Sequence, residues 1–523
     1  MQRWIFLSGM MGSGKTSVGH ALARRLGAPF IDLDAAVVAR AGRSIPDIFA
    51  HEGEDAFRRM EAEEVARLVA ERSPAVLALG GGTVTHRETR RALLECGLLV
   101  TLRAPADELA RRLEGTTGRP LLERGEAAHI LRGLLEQRTE AYAECHAAIE
   151  TAGRSVEEVA ALVEELAADA PIAVPLGLRT YRVHVGRGRM AELPARLAAV
   201  TTGAAILVTD ENVGPRWASP LAAALRDRGV TQVTLPPGEV HKTLASVERI
   251  WDAALEAGID RSAVVVAVGG GVVGDLAGFA ASTLLRGLAL VQVPTSLLAM
   301  VDASVGGKTG FDRPQGKNLI GTFHQPRFVL CDVDALSTLP DAELRSGFAE
   351  VVKSAWLDSE DAVRAIEEDT PALVRRDPDA LERAVRMAVR LKARVVSSDE
   401  HESGRRMVLN LGHTLGHAIE AARGYRDVRH GEAVALGMVA AFRVARALGR
   451  REASEHEARM RSLLSRLGLP VTPEDALDER TLGFVASDKK RAGGKVRFVV
   501  PGAPGEVEIV PLAPDELLRA VRA

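Results

Sequence analysis

Apolar and polar positions follow two rhythms along this 523-residue chain. In its first third, short apolar runs at 4–7, 29–33, 75–79 and 98–102 read as parallel strands. Strands covered on both faces need no polar alternation. Between them, 16–26 and 56–71 carry helical patterns. Residues 155–167 form another amphipathic helix, opened by Ser155-x-x-Glu158, a pair that can satisfy free N–H groups at a helix start. The stretch AADAPIAVPLGL then interrupts the rhythm. Its two prolines favour extended chain, so 169–178 is expected to be a linker. A second α/β series starts at Arg179, with strand candidates at 204–209, 231–235, 263–268 and 288–293. Beyond about Leu339, strand signals thin out and long Ala-, Glu- and Arg-rich helical patterns take over.

The length is too great for one core and points to two or three domains. The composition, 46% hydrophobic and 26% charged, is that of an ordinary soluble protein. A net charge of −3 argues against a general nucleic-acid or membrane-surface binder. Cys96, Cys145 and Cys331 are scattered, which fits a reducing compartment and argues against a disulfide framework or a thiolate zinc site. The apolar run in MQRWIFLSG is too short for a signal peptide, and no uncharged run spans a bilayer. The expectation is a cytoplasmic protein without a membrane anchor.

GMMGSGKT, Gly9 to Thr16, meets the G-x-x-x-x-G-K-[ST] pattern between a predicted strand and helix. Backbone N–H groups of such a loop close around phosphate oxygens, the lysine adds a point charge, and the hydroxyl can bind magnesium. Gly12, Ser13, Gly14, Lys15, Thr16 and Ser17 are therefore the ATP candidates. Asp32 and Asp34 end the second strand, at the edge where ligands bind in open parallel sheets; an Asp pair there is as often a helix cap.

Arg58, the glycines Gly80, Gly81 and Gly82, Arg119 in GRPLL and Arg138 in EQR follow in order. This set resembles shikimate kinase over residues 1–168. The resemblance implies that Asp34, Arg58, Gly80, Gly81, Gly82 and Arg138 hold shikimate, whose carboxylate suits arginine forks. Asp32 and Thr16 would serve magnesium. Lys15, Asp34 and Arg119 would be catalytic, Arg119 from a lid at 115–124. Another P-loop kinase, for gluconate or a nucleoside monophosphate, is the alternative, and Asp34 with Arg58 and the triple glycine argues against it.

In the second part, GGGVVGDLAG follows a buried apolar run. Its glycines either admit a dinucleotide pyrophosphate or merely permit tight strand–helix packing. His413 and His417 lie four apart, on one helix face, in NLGHTLGHAIE; His430 follows in RHGEA, and Glu350 precedes them in GFAEVVKSAW. Three histidines and a carboxylate suggest a divalent metal, and spacing alone leaves open whether His413 and His417 both bind it.

From about Leu178 onward the chain resembles 3-dehydroquinate synthase, through TDENV, GEVHK, GGGVVGD, LLRG, PTSLLAMVDASVGGKT, KNLIG, STLP, AEVVK, LNLGHTLGH, HGEAV and SDKKRAGGK. The resemblance implies zinc, with cobalt as an alternative, on Glu350, His413 and His430. It implies NAD at Asp210, Asn212, Glu239, Lys242, Gly270, Gly271, Asp275, Thr295, Ser296 and Thr338. Lys317 would also serve the cofactor, and Asp302, Lys308 and Asn318 would be shared between cofactor and substrate. The substrate, 3-deoxy-D-arabino-heptulosonate 7-phosphate, would also meet Lys353, Lys392, Arg406, Asn410, His417 and the Lys489–Lys490 pair. Arg286 would come from a neighbouring subunit of a homodimer. Lys308, Lys353 and His417 are the catalytic candidates. The implied chemistry is oxidation at C5, elimination of phosphate, reduction and ring closure, with NAD regenerated.

The expected architecture is α/β: a P-loop kinase fold at 1–168, a linker at 169–178, a Rossmann-like NAD domain at 179–338 and a mostly helical metal-binding domain at 339–523. Other sugar-phosphate cyclases, and metal-dependent dehydrogenases, share the second scaffold. Arg406 with Asn410 favours dehydroquinate, and surplus Lys and Arg disfavours the dehydrogenases. A half that is a catalytically dead scaffold is the remaining alternative.

Overall fold

The computed structural model describes residues 3–114, 126–424, 427–488 and 494–522. The chain divides into two compact units, Met1–Arg182 and Val183–Ala523.

The first unit is built on five strands, β1 (Trp4–Gly9), β2 (Phe30–Asp32), β3 (Val76–Ala78), β4 (Gly97–Arg103) and β5 (Ala147–Glu150), ordered β2-β3-β1-β4-β5. Every pairing is parallel. β1 is buried along its whole length, as its unbroken apolar run predicts. Phe6, Leu33, Phe57 and Leu99 belong to the core on one face, and Leu7, Leu22, Val100 and Val163 to the core on the other. The helix Val156–Ala168 opens on the expected capping box, Ser155 with Glu158. Within the predicted linker, Ile172–Val174 forms a short strand, β6; its extended backbone agrees with the flanking prolines.

The second unit holds all but the first two residues of β7 (Tyr181–Gly186), then β8 (Ala205–Asp210), β9 (Val230–Leu235), β10 (Val264–Gly269), β11 (Ala289–Pro294), β12 (Lys308–Arg313), β13 (Gly316–Phe323) and β14 (Phe328–Asp332). Among these strands the order in the main sheet is β7-β14-β11-β10-β8-β9, while β12 and β13 pair separately as an antiparallel hairpin. The helices Asp341–Asp358, Pro378–Ser398, His413–Ala422 and His430–Ala447 follow. Past Leu339 the chain is not wholly helical: β15 (Val496–Pro501) and β16 (Val507–Leu512) form a second hairpin, missed because its alternation is weak around Pro501 and Pro511. Among the described residues no helix is long and apolar enough to cross a membrane.

Candidate active sites

In the first unit β1 delivers the chain to a loop whose Gly12 and Gly14 have φ of +82° and +94°. These left-handed conformations suit glycine, which has no Cβ to clash. The loop passes directly into the helix Lys15–Leu26, so its N–H groups and the positive end of the helix dipole face one place. Lys15 Nζ donates to the carbonyls of Gly9 (2.9 Å) and Met10 (3.1 Å). Thr16 Oγ1 donates to Asp32 Oδ2 at 3.0 Å. Asp32 also caps the helix Leu33–Ala41, accepting from Ala35 N. The two readings of that aspartate, helix cap and site residue, are thus compatible.

Arg58, on the helix Ile45–Glu71, lies against Gly82; a Cβ there would stand 2.1 Å from its guanidinium carbon. Arg138 donates to the Gly81 carbonyl at 3.0 Å. A Cβ on Gly80 would stand 2.9 Å from Asp34 Oδ1. Asp34, Arg58, Gly80, Gly81, Gly82 and Arg138 therefore lie together beside the phosphate loop. Sequence reasoning missed Glu61. It is fully buried and takes hydrogen bonds from Arg58 (2.6 Å) and Thr83 (2.5 Å). The signal was present as an i,i+3 Arg–Glu pair on a helix face. Arg119 lies outside the described residues, as do Lys489 and Lys490.

In the second unit, expected cofactor residues stand at strand ends. Asp210 closes β8 and accepts from the Asn212 and Val213 N–H groups (2.9 and 3.0 Å). Gly270 caps the helix Gly271–Thr283 after β10, and a Cβ there would be 3.5 Å from Ser296 Oγ. Thr295 N donates to Gly269 O at 2.9 Å, so the two turns lie side by side at the carboxyl edge of the sheet. Lys242 forms a 2.6 Å ion pair with Asp275 and donates to Asn318 at 2.6 Å. Burial alone would lower the Lys242 ammonium, but Asp275 and Glu239 outweigh it and raise the pKa, so Lys242 stays charged. Trp217 Nε1 donates to Thr338 Oγ1 at 3.0 Å. Arg286 does not join this cluster: it is exposed in the turn Leu284–Arg286 that precedes β11, at the opposite edge of the sheet.

Glu350, His413 and His430 meet although distant in sequence. Their ligand atoms all lie within 4.8 Å of one another. Glu350 is 1% exposed. Its Oε2 pairs with Lys353, while Oε1 accepts no hydrogen bond and has His413 Nε2 at 3.6 Å and His430 Nε2 at 3.8 Å. A buried carboxylate oxygen facing two imidazole nitrogens is a set of donors that could hold a divalent ion. Both histidines are the first residues of their helices. Gly431 lets the second helix approach: a Cβ there would come 1.9 Å from Ser346 O, and its N–H donates to Ser346 Oγ at 3.0 Å. His417 is exposed, its ring centroid 5.2 Å from that of His413, and it belongs to a second close trio with Glu420 and His430.

Around this cluster, Lys392 donates to Asp302 Oδ1 at 2.5 Å. Burial draws the Lys392 ammonium down, against the pull of Asp302. Burial would raise the Asp302 carboxyl, but Lys392 and Lys353 outweigh it and hold it well below the usual carboxylate range. Arg406 is 2% exposed, donates to the carbonyls of Gly306 (3.2 Å) and Glu400 (2.6 Å), and lies over the Phe323 ring. Lys308 and Asn410 both engage Glu402, the Asn410 contact at 3.2 Å. Lys317 bridges Glu239 (3.4 Å) and Glu420 (3.1 Å). Glu402 and Glu420 were missed because nothing in the sequence marks which of many glutamates folds inward.

A phosphate loop on a five-stranded parallel sheet defines a P-loop phosphotransferase unit, and the second unit is an α/β enzyme with a buried Glu–His–His cluster. Residues 11–167 match the shikimate kinase family profile. Residues 232–346 and 347–491 match the N- and C-terminal profiles of 3-dehydroquinate synthase. The 3-dehydroquinate synthase of Symbiobacterium thermophilum is 47% identical over 348 residues, 65% of this chain and 97% of the relative. The chain therefore belongs to the 3-dehydroquinate synthase family, joined to a shikimate kinase domain, and is a bifunctional shikimate-pathway enzyme. Among solved structures, a 2-deoxy-scyllo-inosose synthase complexed with carbaglucose-6-phosphate, NAD+ and Co2+ has a TM-score of 0.60 at 25% identity, over 67% of this chain and 99% of that one. A 2-epi-5-epi-valiolone synthase from Streptomyces hygroscopicus with NAD+ and Zn2+ bound has 0.60 at 28% identity, over 65% and 96%.

Proposed function

We propose that the first unit phosphorylates shikimate from ATP to shikimate 3-phosphate. The second converts 3-deoxy-D-arabino-heptulosonate 7-phosphate to 3-dehydroquinate with NAD and a divalent metal, zinc or cobalt. The observation that carries the second reading is the unpartnered Glu350 Oε1 facing His413 and His430. The cyclitol-forming alternative is weaker, because identity to dehydroquinate synthase is 47% and to the two cyclases 25% and 28%.

In the kinase half the loop N–H groups and Lys15 bind the ATP phosphates, and Thr16 with Asp32 offers two oxygens to magnesium. Magnesium there supplies charge neutralisation between phosphates. Arg58 and Arg138 take the shikimate carboxylate, and Asp34 receives the proton of the attacking hydroxyl. Arg119 provides further positive charge.

In the synthase half Glu350, His413 and His430 hold the metal, and Asp210, Asn212, Glu239, Lys242, Gly270, Gly271, Asp275, Thr295, Ser296 and Thr338 receive NAD. Bound, the two supply a reversible hydride acceptor and a Lewis acid. Lys308, Lys353, Lys392 and Arg406 match the substrate's phosphate and carboxylate, with Asn318 and Asn410 as neutral partners. His417, exposed beside the cluster, moves protons. Arg286 serves a neighbouring subunit's site, which requires a homodimer. The protein works in the cytoplasm on small molecules.

The test uses chelator-stripped protein given the heptulosonate phosphate and NAD, with and without zinc. Zinc-dependent release of phosphate, dehydroquinate as product and no net consumption of NAD are expected. No turnover by folded, metal-loaded protein contradicts the synthase reading.

A further inference from the structure

One buried carboxylate beside the metal cluster has no part in the roles above. Glu420, on the helix His413–Ala422, is 2% exposed. Its Oε2 stands 3.3 Å from His430 Nδ1, and its Oε1 accepts from Lys317 Nζ at 3.1 Å. The other nitrogen of His430, Nε2, is 3.8 Å from Glu350 Oε1. One imidazole thus faces two carboxylates from its two nitrogens. A neutral imidazole carries one proton, and the unprotonated nitrogen is the one that can bind metal. His413 has the same disposition by another route: Nδ1 is 3.2 Å from the Leu411 carbonyl, which can only accept, and Nε2 points to Glu350.

Glu420 also lies close enough to His417 and His430 to be a ligand itself. Its hydrogen bonding argues otherwise. Both Glu420 oxygens already have partners, whereas Glu350 Oε1 has none. Each carboxylate therefore has a different task.

We propose that Glu420 is a positioning residue of the metal centre, accepting the Nδ1 proton of His430 and so turning the Nε2 lone pair towards Glu350 and His413. The inference rests on the metal reading of that trio. A carboxylate behind a ligating histidine fixes its tautomer and ring orientation. Lys317, on β13, occupies the second Glu420 oxygen and holds the carboxylate in place from the hairpin side. The same lysine contacts Glu239 at 3.4 Å, so the anchor joins the metal cluster to the strand-end turns.

The test titrates full-length, chelator-stripped protein with Co2+ and Zn2+ against a chromophoric chelator. Glu420→Ala is expected to bind either ion about 10–100-fold more weakly, the range for removing such a partner. Its Co2+ absorption band should shift at saturation, with the metal-free melting temperature and shikimate phosphorylation unchanged. Glu420→Gln, with one acceptor oxygen for two donors, should fall between, and Glu420→Asp should recover part of the affinity. Affinity within about twofold of wild type and an unmoved Co2+ band in Glu420→Ala would overturn the proposal. Should that variant not fold, 15N-histidine NMR of the zinc-loaded wild type decides: a hydrogen-bonded Nδ1–H on His430 supports the proposal, and metal on Nδ1 refutes it. Wild type that binds no divalent ion, or Glu350→Ala that binds it normally, refutes the metal reading and the inference with it. Normal wild-type binding with an unaffected Glu420→Ala refutes the inference alone.

Discussion

The two units place charge-binding groups by different means. In the first, the loop 9–16 is contiguous: three positive-φ glycines and the start of one helix shape the backbone, and Lys15 lies folded against the same loop. In the second, Glu350, His413 and His430 come from three helices and converge only because those helices pack closely, with Gly431 against Ser346. A local site is a backbone conformation. An assembled site is a packing result, exposed to changes far from any ligand.

Metal removal separates the two most sharply. Chelation should abolish dehydroquinate formation and shikimate phosphorylation together. Magnesium alone should restore the kinase, and added zinc or cobalt the synthase. Recovery of the synthase with magnesium alone would break the distinction. Next in size, Arg58→Ala should weaken shikimate binding by about 10²-fold, read as KM, because it removes a charge-assisted partner of about 2–3 kcal/mol. Synthase turnover in that variant should be unchanged.

Gly431→Ala touches no ligand, yet its methyl would overlap Ser346 O. Relieving the overlap should cost about 1–3 kcal/mol, seen as a lower melting temperature of the synthase half and weaker zinc binding, with the kinase intact. Zinc affinity equal to wild type would show that the cluster does not depend on that packing.

The smallest effect concerns Asp399, which accepts from the backbone N–H groups of Ser403, Gly404 and Arg406. Burial would raise its carboxyl, but these hydrogen bonds outweigh it and hold the pKa below the ordinary 3.8. A depressed carboxylate stabilises the fold above its unfolded pKa, and that contribution fades as pH falls through the folded value. Asp399→Asn should therefore lower the melting temperature by about a degree or two at neutral pH. The gap should narrow below about pH 4. A gap that widens on acidification contradicts the assignment.

The same contrast explains what the sequence revealed. β1, β4, β8, β10 and β11 were legible within a residue or two because buried strands write continuous apolar runs. The phosphate loop was legible because its chemistry is contiguous. The candidate metal trio could be named only through family resemblance, since spacing left His413 and His417 indistinguishable. Packing separates them, placing His413 beside Glu350 and leaving His417 exposed. Glu61, Glu402 and Glu420 were unreadable because each gains meaning from a partner elsewhere in the fold: Thr83, Lys308 and His430 respectively. The hairpins β12–β13 and β15–β16 were lost for a related reason, since short strands paired only with each other carry weak periodic signals.

The central claim, that the two halves carry separate sites, is tested most directly by crossing two single-site variants with two assays. Lys15→Met should lose shikimate phosphorylation by about a thousandfold or more, on the scale of other charge-stabilising groups in phosphoryl transfer, while dehydroquinate formation stays at the wild-type rate. Glu350→Gln should do the reverse. Loss of both activities in either variant, with the protein folded, would contradict two independent sites.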